Sequence, residues 1–327
     1  MTLKLPEKIE IIDVTMRDGL QNEEIFVPLD GKLYIANKLI AAGVKKIEVG
    51  SLSHVKYVPQ FKDIDELLLQ LPRREDVEYT ILALNAKAVE RAVKLVEQGA
   101  KIDRVLTGQI ATSEAYARKN MNRTHEELFA DAEINVKRLH DAGIKKVVAN
   151  IGTIFGCPIQ GDVPIERAYE FVDRCLELGF DEIEHSDPDG KATPKDITEY
   201  FQVIMSRHPD ASRHSFHIHD IRGTGIAGYY AAMQCGITTF DVTIGGIGGQ
   251  VANFVDGVPV KGIGEYYFDS RRTGLVSTED FVTMANDMGI VTGIDEKILY
   301  GLGMDLEKML GRKLSSFTSS LRSTSGL

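Results

Sequence analysis

The sequence predicts a (β/α)8 barrel, an α/β TIM-barrel architecture with a C-terminal helical extension, on three observations. One phrase recurs five times: a helix-like run, then glycine, then a short β-rich apolar run, around Gly43, Gly99, Gly143, Gly179 and Gly236. The longer intervals between those glycines each hold one further strand candidate, which brings the count to eight. No Gly-x-Gly-x-x-Gly turn follows the first apolar run, which weakens the competing doubly wound sheet.

Strands are expected near residues 9–15, 44–50, 77–85, 103–109, 145–150, 180–186, 215–220 and 238–244. Each glycine phrase reads as a helix closing in the left-handed conformation and feeding a buried parallel strand. Residues 1–290 are assigned to the barrel and 291–327 to appended helices and a tail. In that extension 294–314 reads as one or two helices, whereas Ser315 to Leu327 reads as loose. Ile298, Leu302, Leu306 and Met309 there can bury against the barrel or a second subunit, which leaves room for a homodimer.

Composition narrows the function. The 327 residues are 43% apolar and 26% charged, without an apolar run long enough to span a bilayer. A net charge of −10 and the lack of a dense basic block argue against nucleic acid as a partner. Three cysteines cannot pair into a framework and no signal sequence opens the chain, so a cytoplasmic protein working on small molecules is expected.

A barrel reacts at the C-terminal ends of its strands. The polar residues there are Asp13, Arg17 and Asp18, then Glu48, Asn85, Gln109, Asn150, Asp187, His217, His219 and Thr243. His217 and His219 leave one face of a strand, and an acid such as Asp18 completes an N,N,O set for a divalent cation: magnesium, manganese or zinc. Two histidines satisfied by core hydrogen bonds is the competing reading. Arg17 either steadies an enolate oxygen or forms an ordinary ion pair with Asp18, Asp13 or Glu48. The glycine-rich GGIGG at Gly245–Gly249 suits a phosphate or lid loop.

Several motifs taken together carry a resemblance. They are RDGLQNE at Arg17–Glu23, IEVGSLSHVKYVPQ at Ile47–Gln60, KNMN at Lys119–Asn122 and FGCP at Phe155–Pro158. ATP at Ala192–Pro194, HIHD at His217–Asp220 and STED at Ser277–Asp280 complete the set. From about Glu10 to near Ser316 the chain resembles the 3-hydroxy-3-methylglutaryl-CoA lyases, within the metal-dependent barrel lyases and synthases that include isopropylmalate synthase. The resemblance implies that Asp18, His217 and His219 bind magnesium or manganese. It also implies that Arg17 stabilises the enolate of departing acetyl-CoA, that Glu48 is an acid near the metal, and that Asp187 assists proton movement. Asp13 stands where those lyases carry a Glu.

Two positions depart from the pattern. Gln250 stands where the lyases carry a loop cysteine, and Leu275 stands where they carry a metal-binding asparagine. Either one of Asn253, Asp256, Glu265 and Asp269 restores the ligand, Asn253 first among them, or water takes that position, and Tyr266 and Tyr267 offer a replacement proton path. The expected activity is metal-dependent cleavage of a 3-hydroxyacyl-CoA to acetyl-CoA and a keto acid. The alternatives are a Claisen synthase or aldolase on a 2-oxo acid, and a silent barrel that binds a ligand or a partner.

Overall fold

The computed structural model describes residues 5–157, 159–249, 253–255, 258–260 and 274–325. Eight parallel strands close into a barrel in chain order: β1 (Glu10–Asp13), β2 (Lys46–Ser51), β3 (Glu78–Leu82), β4 (Arg104–Ala111), β5 (Lys146–Gly152), β6 (Glu182–Asp187), β7 (His214–Ile218) and β8 (Thr239–Val242). β1 closes the ring on β8, with Ile12 opposite Asp241. Helices α1 (Leu29–Ala42), α2 (Ile64–Gln70), α3 (Ala86–Glu97), α4 (Glu114–Met121), α5 (His125–Asp141), α6 (Glu166–Glu177), α7 (Pro194–Arg207) and α8 (Gly225–Gln234) fill the crossovers. The five recurrent glycines follow α1, α3, α5, α6 and α8, and all have left-handed φ, from 81° to 102°.

Local chemistry sets the element ends. Asn85 was expected inside strand three; instead its Oδ1 accepts from Ala88 N at 3.0 Å and starts α3. Thr124 with Glu127, and Thr193 with Asp196, form reciprocal caps on α5 and α7. The first strand stops at Asp13 rather than residue 15, because Thr15–Gly19 winds into a π-helical turn. A short antiparallel pair, β9 (Asn253–Val255) and β10 (Val258–Val260), was not anticipated.

The main core lies between barrel and helices, where Ile35, Leu39, Val89, Leu139, Ile197, Ile204 and Phe281 are fully buried. Inside the barrel, charged groups close the N-terminal end: Glu182 accepts from buried Arg104 and from Lys146. With that end filled, access is from the C-terminal ends of the strands.

Past the barrel come α9 (Thr278–Asp287), α10 (Glu296–Leu310) and α11 (Phe317–Ser325). Leu302 and Leu306 are fully buried, and Ile298 and Met309 pack on the same core, so the apolar stripe of α10 is used within the chain. The expected loose tail is a correction. Asp280 accepts from Ser316 Oγ, Phe317 N and Thr318 N at 2.9, 3.0 and 2.8 Å, which caps and holds α11. Among the described residues no helix is long and apolar enough to cross a membrane.

Candidate metal centre

Strand alternation decides which side chains meet inside the barrel. On β7, His217 and the following His219 share the inner face, as their spacing predicts. Asp18 arrives from the π-helical turn after β1, and Glu48 from the middle of β2. The ligand atoms of Asp18, His217 and His219 lie within 4.8 Å of one another, and all three residues are buried.

Each of these groups is oriented by a neighbour. His217 Nδ1 is 3.0 Å from Asp241 Oδ2. With Asp241 as the acceptor, Nδ1 is the donor of this contact and Nε2 faces the pocket. That nitrogen is 3.2 Å from His219 Nε2. An electron-rich pocket of two imidazoles and a carboxylate, with the second carboxylate behind one ring, is the donor chemistry that fits a divalent cation.

Asp18 is held on several sides. Its Oδ1 accepts from Gly249 N at 3.1 Å, and its Oδ2 from Gln21 Nε2 at 3.1 Å and from Arg17 Nη1. Burial would raise its pKa, but the Arg17 charge, then His219 and His217, hold it below the usual range. The loop after β8 can come this close only through Gly248: at φ 130°, a Cβ there would sit 2.5 Å from Asp18 Oδ1.

Arg17 is a fixed cation at the cavity wall. Its Nε and Nη2 donate to the two oxygens of Glu48 at 2.7 and 3.2 Å, while Nη1 turns to Asp18. Burial opposes the charge, yet Glu48 and Asp18 outweigh it and raise the guanidinium pKa further. Glu48 itself is pushed up, by burial first, against the pull of Arg17. The ion-pair reading of Arg17 is therefore what the geometry shows, with three N–H groups paired to carboxylates, and the side chain also lines the cavity.

That cavity has a volume of about 520 Å³ and is bordered by Arg17, Asp18, His217 and His219, with Glu184 and Asn150 deeper on the wall. Two buried acids escaped the sequence reading. Glu184 and Asp241 lie with His217 in a second close group, and each is pushed up to about 7. Burial is the main cause for both, followed by Asp241 for Glu184 and by Glu48 for Asp241.

Not every expected residue joins the cluster. Asp187 ends β6 on the opposite face from Glu184, and its Oδ2 accepts from Ala192 N at 2.8 Å. Its backbone oxygen accepts from His219 N at 3.1 Å, so it touches the centre through the main chain. Asp13 also points outward, accepting from Thr15 N at 3.0 Å and Thr278 Oγ1 at 2.9 Å, and burial pushes it up to about 6. Thr243 shapes the glycine loop by donating to Ile247 O at 2.7 Å. Leu275 is buried with Ile12 and Val14 and bridges His219 through its backbone. Asn253 opens β9, but its side chain lies outside the described residues, as do Gln250, Asp256, Glu265, Tyr266, Tyr267 and Asp269.

A family model described as HMGL-like matches residues 8–304. The chain is 31% identical over 314 residues to the hydroxymethylglutaryl-CoA lyase YngG of Bacillus subtilis, covering 95% of this chain and 96% of that protein. It is 33% identical over 321 residues to an (R)-citramalyl-CoA lyase of Chloroflexus aurantiacus, covering 94% and 93%. Among solved structures, the Bacillus subtilis HMG-CoA lyase superposes with a TM-score of 0.85 at 29% identity, covering 98% and 99%. An HMG-CoA lyase of Acinetobacter baumannii in complex with coenzyme A and 3-methylmalate gives 0.84 at 28% identity, covering 98% and 95%.

Proposed function

The chain belongs to the HMGL-like family and is a carbon–carbon lyase for a CoA-linked substrate, and from that premise we propose that it cleaves a 3-hydroxyacyl-CoA into acetyl-CoA and a keto acid. The observation that carries this reading is the close placement of Asp18, His217 and His219 beside a cation, Arg17, that cannot lose its proton.

We assign Asp18, His217 and His219 to hold magnesium or manganese, with Asn253 a further candidate ligand. Such an ion supplies Lewis acidity at the hydroxyl and carbonyl oxygens of the substrate and makes the hydroxyl proton easier to remove. Asp241 keeps the His217 ring in the tautomer that leaves Nε2 free. Arg17, clamped by Glu48, is pre-set to stabilise the enolate oxygen of the departing acetyl thioester without reorienting. Proton return to the enolate carbon then completes the reaction.

Asp187 enters as a positioning group in this reading. Its carboxylate braces the turn that carries Pro188 along the cavity, and its carbonyl fixes the backbone of His219. The catalytic unit is taken as 1–290, with 291–327 as helices packed on it.

Purified protein given 3-hydroxyacyl-CoA thioesters should release acetyl-CoA in a manganese- or magnesium-dependent way. Condensation of a 2-oxo acid with acetyl-CoA, without release from any thioester, would overturn the cleavage reading.

A further inference from the structure

Relatives named for two different acyl thioesters stand at 31% and 33% identity, so similarity alone does not select the acyl group. The cavity wall is more specific. Gln109 on β4 is in register with Asn150 on β5, and Asn150 with Glu184 on β6, so three adjacent strands present three polar side chains side by side. All three line the cavity that also contains Arg17, Asp18, His217 and His219.

Asn150 Nδ2 donates to Glu184 Oε1. That contact uses one N–H of the amide and leaves its oxygen and second N–H available. Gln109 has no side-chain hydrogen bond among the described residues. Leu82, Leu84 and Leu106 also line this cavity, Leu106 on the same strand as Gln109 and opposite Leu82 on β3. The cavity therefore offers apolar side chains suited to alkyl groups as well as this polar row.

The row offers both donors and acceptors. An alkyl substituent against it would leave the Gln109 amide and the remaining N–H and oxygen of Asn150 without a partner, which is costly. A carboxylate there would face Glu184, with Glu48 and Asp241 close behind on the inner wall. A hydroxyl matches best, since it can donate to Glu184 or the Asn150 oxygen while accepting from the Gln109 amide.

We propose that Gln109, Asn150 and Glu184 set specificity, selecting 3-hydroxyacyl thioesters whose departing keto fragment carries a hydroxyl where an alkyl branch would leave the row unpaired. The proposal rests on the lyase reading above and names the substrate class for it.

Two acyl-CoA probes test it, identical except for a hydroxymethyl or a methyl group on the carbinol carbon. kcat/KM is measured in manganese-loaded protein, and dissociation constants by calorimetry in chelator-treated protein, where no turnover occurs. Wild type should favour the hydroxymethyl probe by at least about tenfold in both. Gln109→Leu and Asn150→Leu should each bring that ratio close to one. A wild-type ratio at or below one overturns the proposal on its own, as does a ratio unmoved in a folded variant. Selective binding without cleavage of either probe would retain the specificity row while removing the lyase reading. Cleavage of both with equal efficiency would do the reverse.

Discussion

His217 and Asp241 are joined by a 3.0 Å contact between Nδ1 and Oδ2, deep in the barrel, and this contact turns the other ring nitrogen toward His219 and Asp18. Asp241 comes from β8 and His217 from β7, so the geometry of the centre depends on the pairing of two adjacent strands. Asp241→Asn should therefore leave the ligand set in place yet weaken manganese binding by about 10- to 100-fold. Calorimetric titration checks this; unchanged affinity would mean that the contact has no orienting role.

Arg17→Gln should lower kcat by roughly 100- to 1,000-fold with a smaller change in KM, because in the proposed reaction the guanidinium, which lines the cavity, stabilises charge that develops during bond cleavage. Steady-state kinetics with the cleaved thioester decides. A rise in KM at constant kcat would assign Arg17 to substrate binding instead.

Glu48→Ala removes the partner that takes two of the Arg17 hydrogen bonds and leaves a buried cation with Asp18 alone. The expected loss is about 3–5 kcal/mol of folding stability, read from urea unfolding. Glu48→Gln keeps an acceptor there and should cost less.

Glu279 carries a pH signature away from Asp18, His217 and His219. Burial pushes its carboxyl up to about 7, despite hydrogen bonds from Gly245 N at 2.8 Å and Ser277 Oγ at 2.8 Å. The folded state then holds a proton that the unfolded state has released between about pH 4.5 and 7, so stability falls as pH rises through that window and levels off above it. The contribution is on the order of 3 kcal/mol. Unfolding of wild type and Glu279→Gln at pH 5 and pH 8 checks the sign: the variant should show the smaller decline.

Asp280→Ala should release α11 without unfolding the barrel, since it deletes the acceptor for Ser316, Phe317 and Thr318. Hydrogen exchange across 317–325 should speed up while β1 to β8 stay protected. Uniform protection in that helix would show that packing alone holds it.

The barrel was legible because its signal is repeated: five glycines in one conformation mark five helix-to-strand passages. Arg17, Asp18, Glu48, His217 and His219 could be singled out because they are polar residues on or just after strands in otherwise apolar runs, and the structure brings them together at one cavity. Glu184 was missed for the same rule applied too simply. The polar residue that ends β6 is Asp187, but Ser186 pairs with His217, so the inner face of β6 carries Glu182, Glu184 and Ser186. Counting by alternation from the histidines would have found it. α11 was missed because its anchor, Asp280, lies far away in sequence, and no local pattern in a serine-rich tail announces it.

The claim on which the rest depends is that Asp18, His217 and His219 bind one catalytic cation. Manganese content and acetyl-CoA release are to be measured together for wild type and His217→Ala, each stripped with chelator and reloaded. Wild type should take up about one ion per chain and recover turnover, while the folded variant should bind at least about tenfold more weakly and stay inactive. Equal metal content and equal turnover in the two proteins would contradict the assignment.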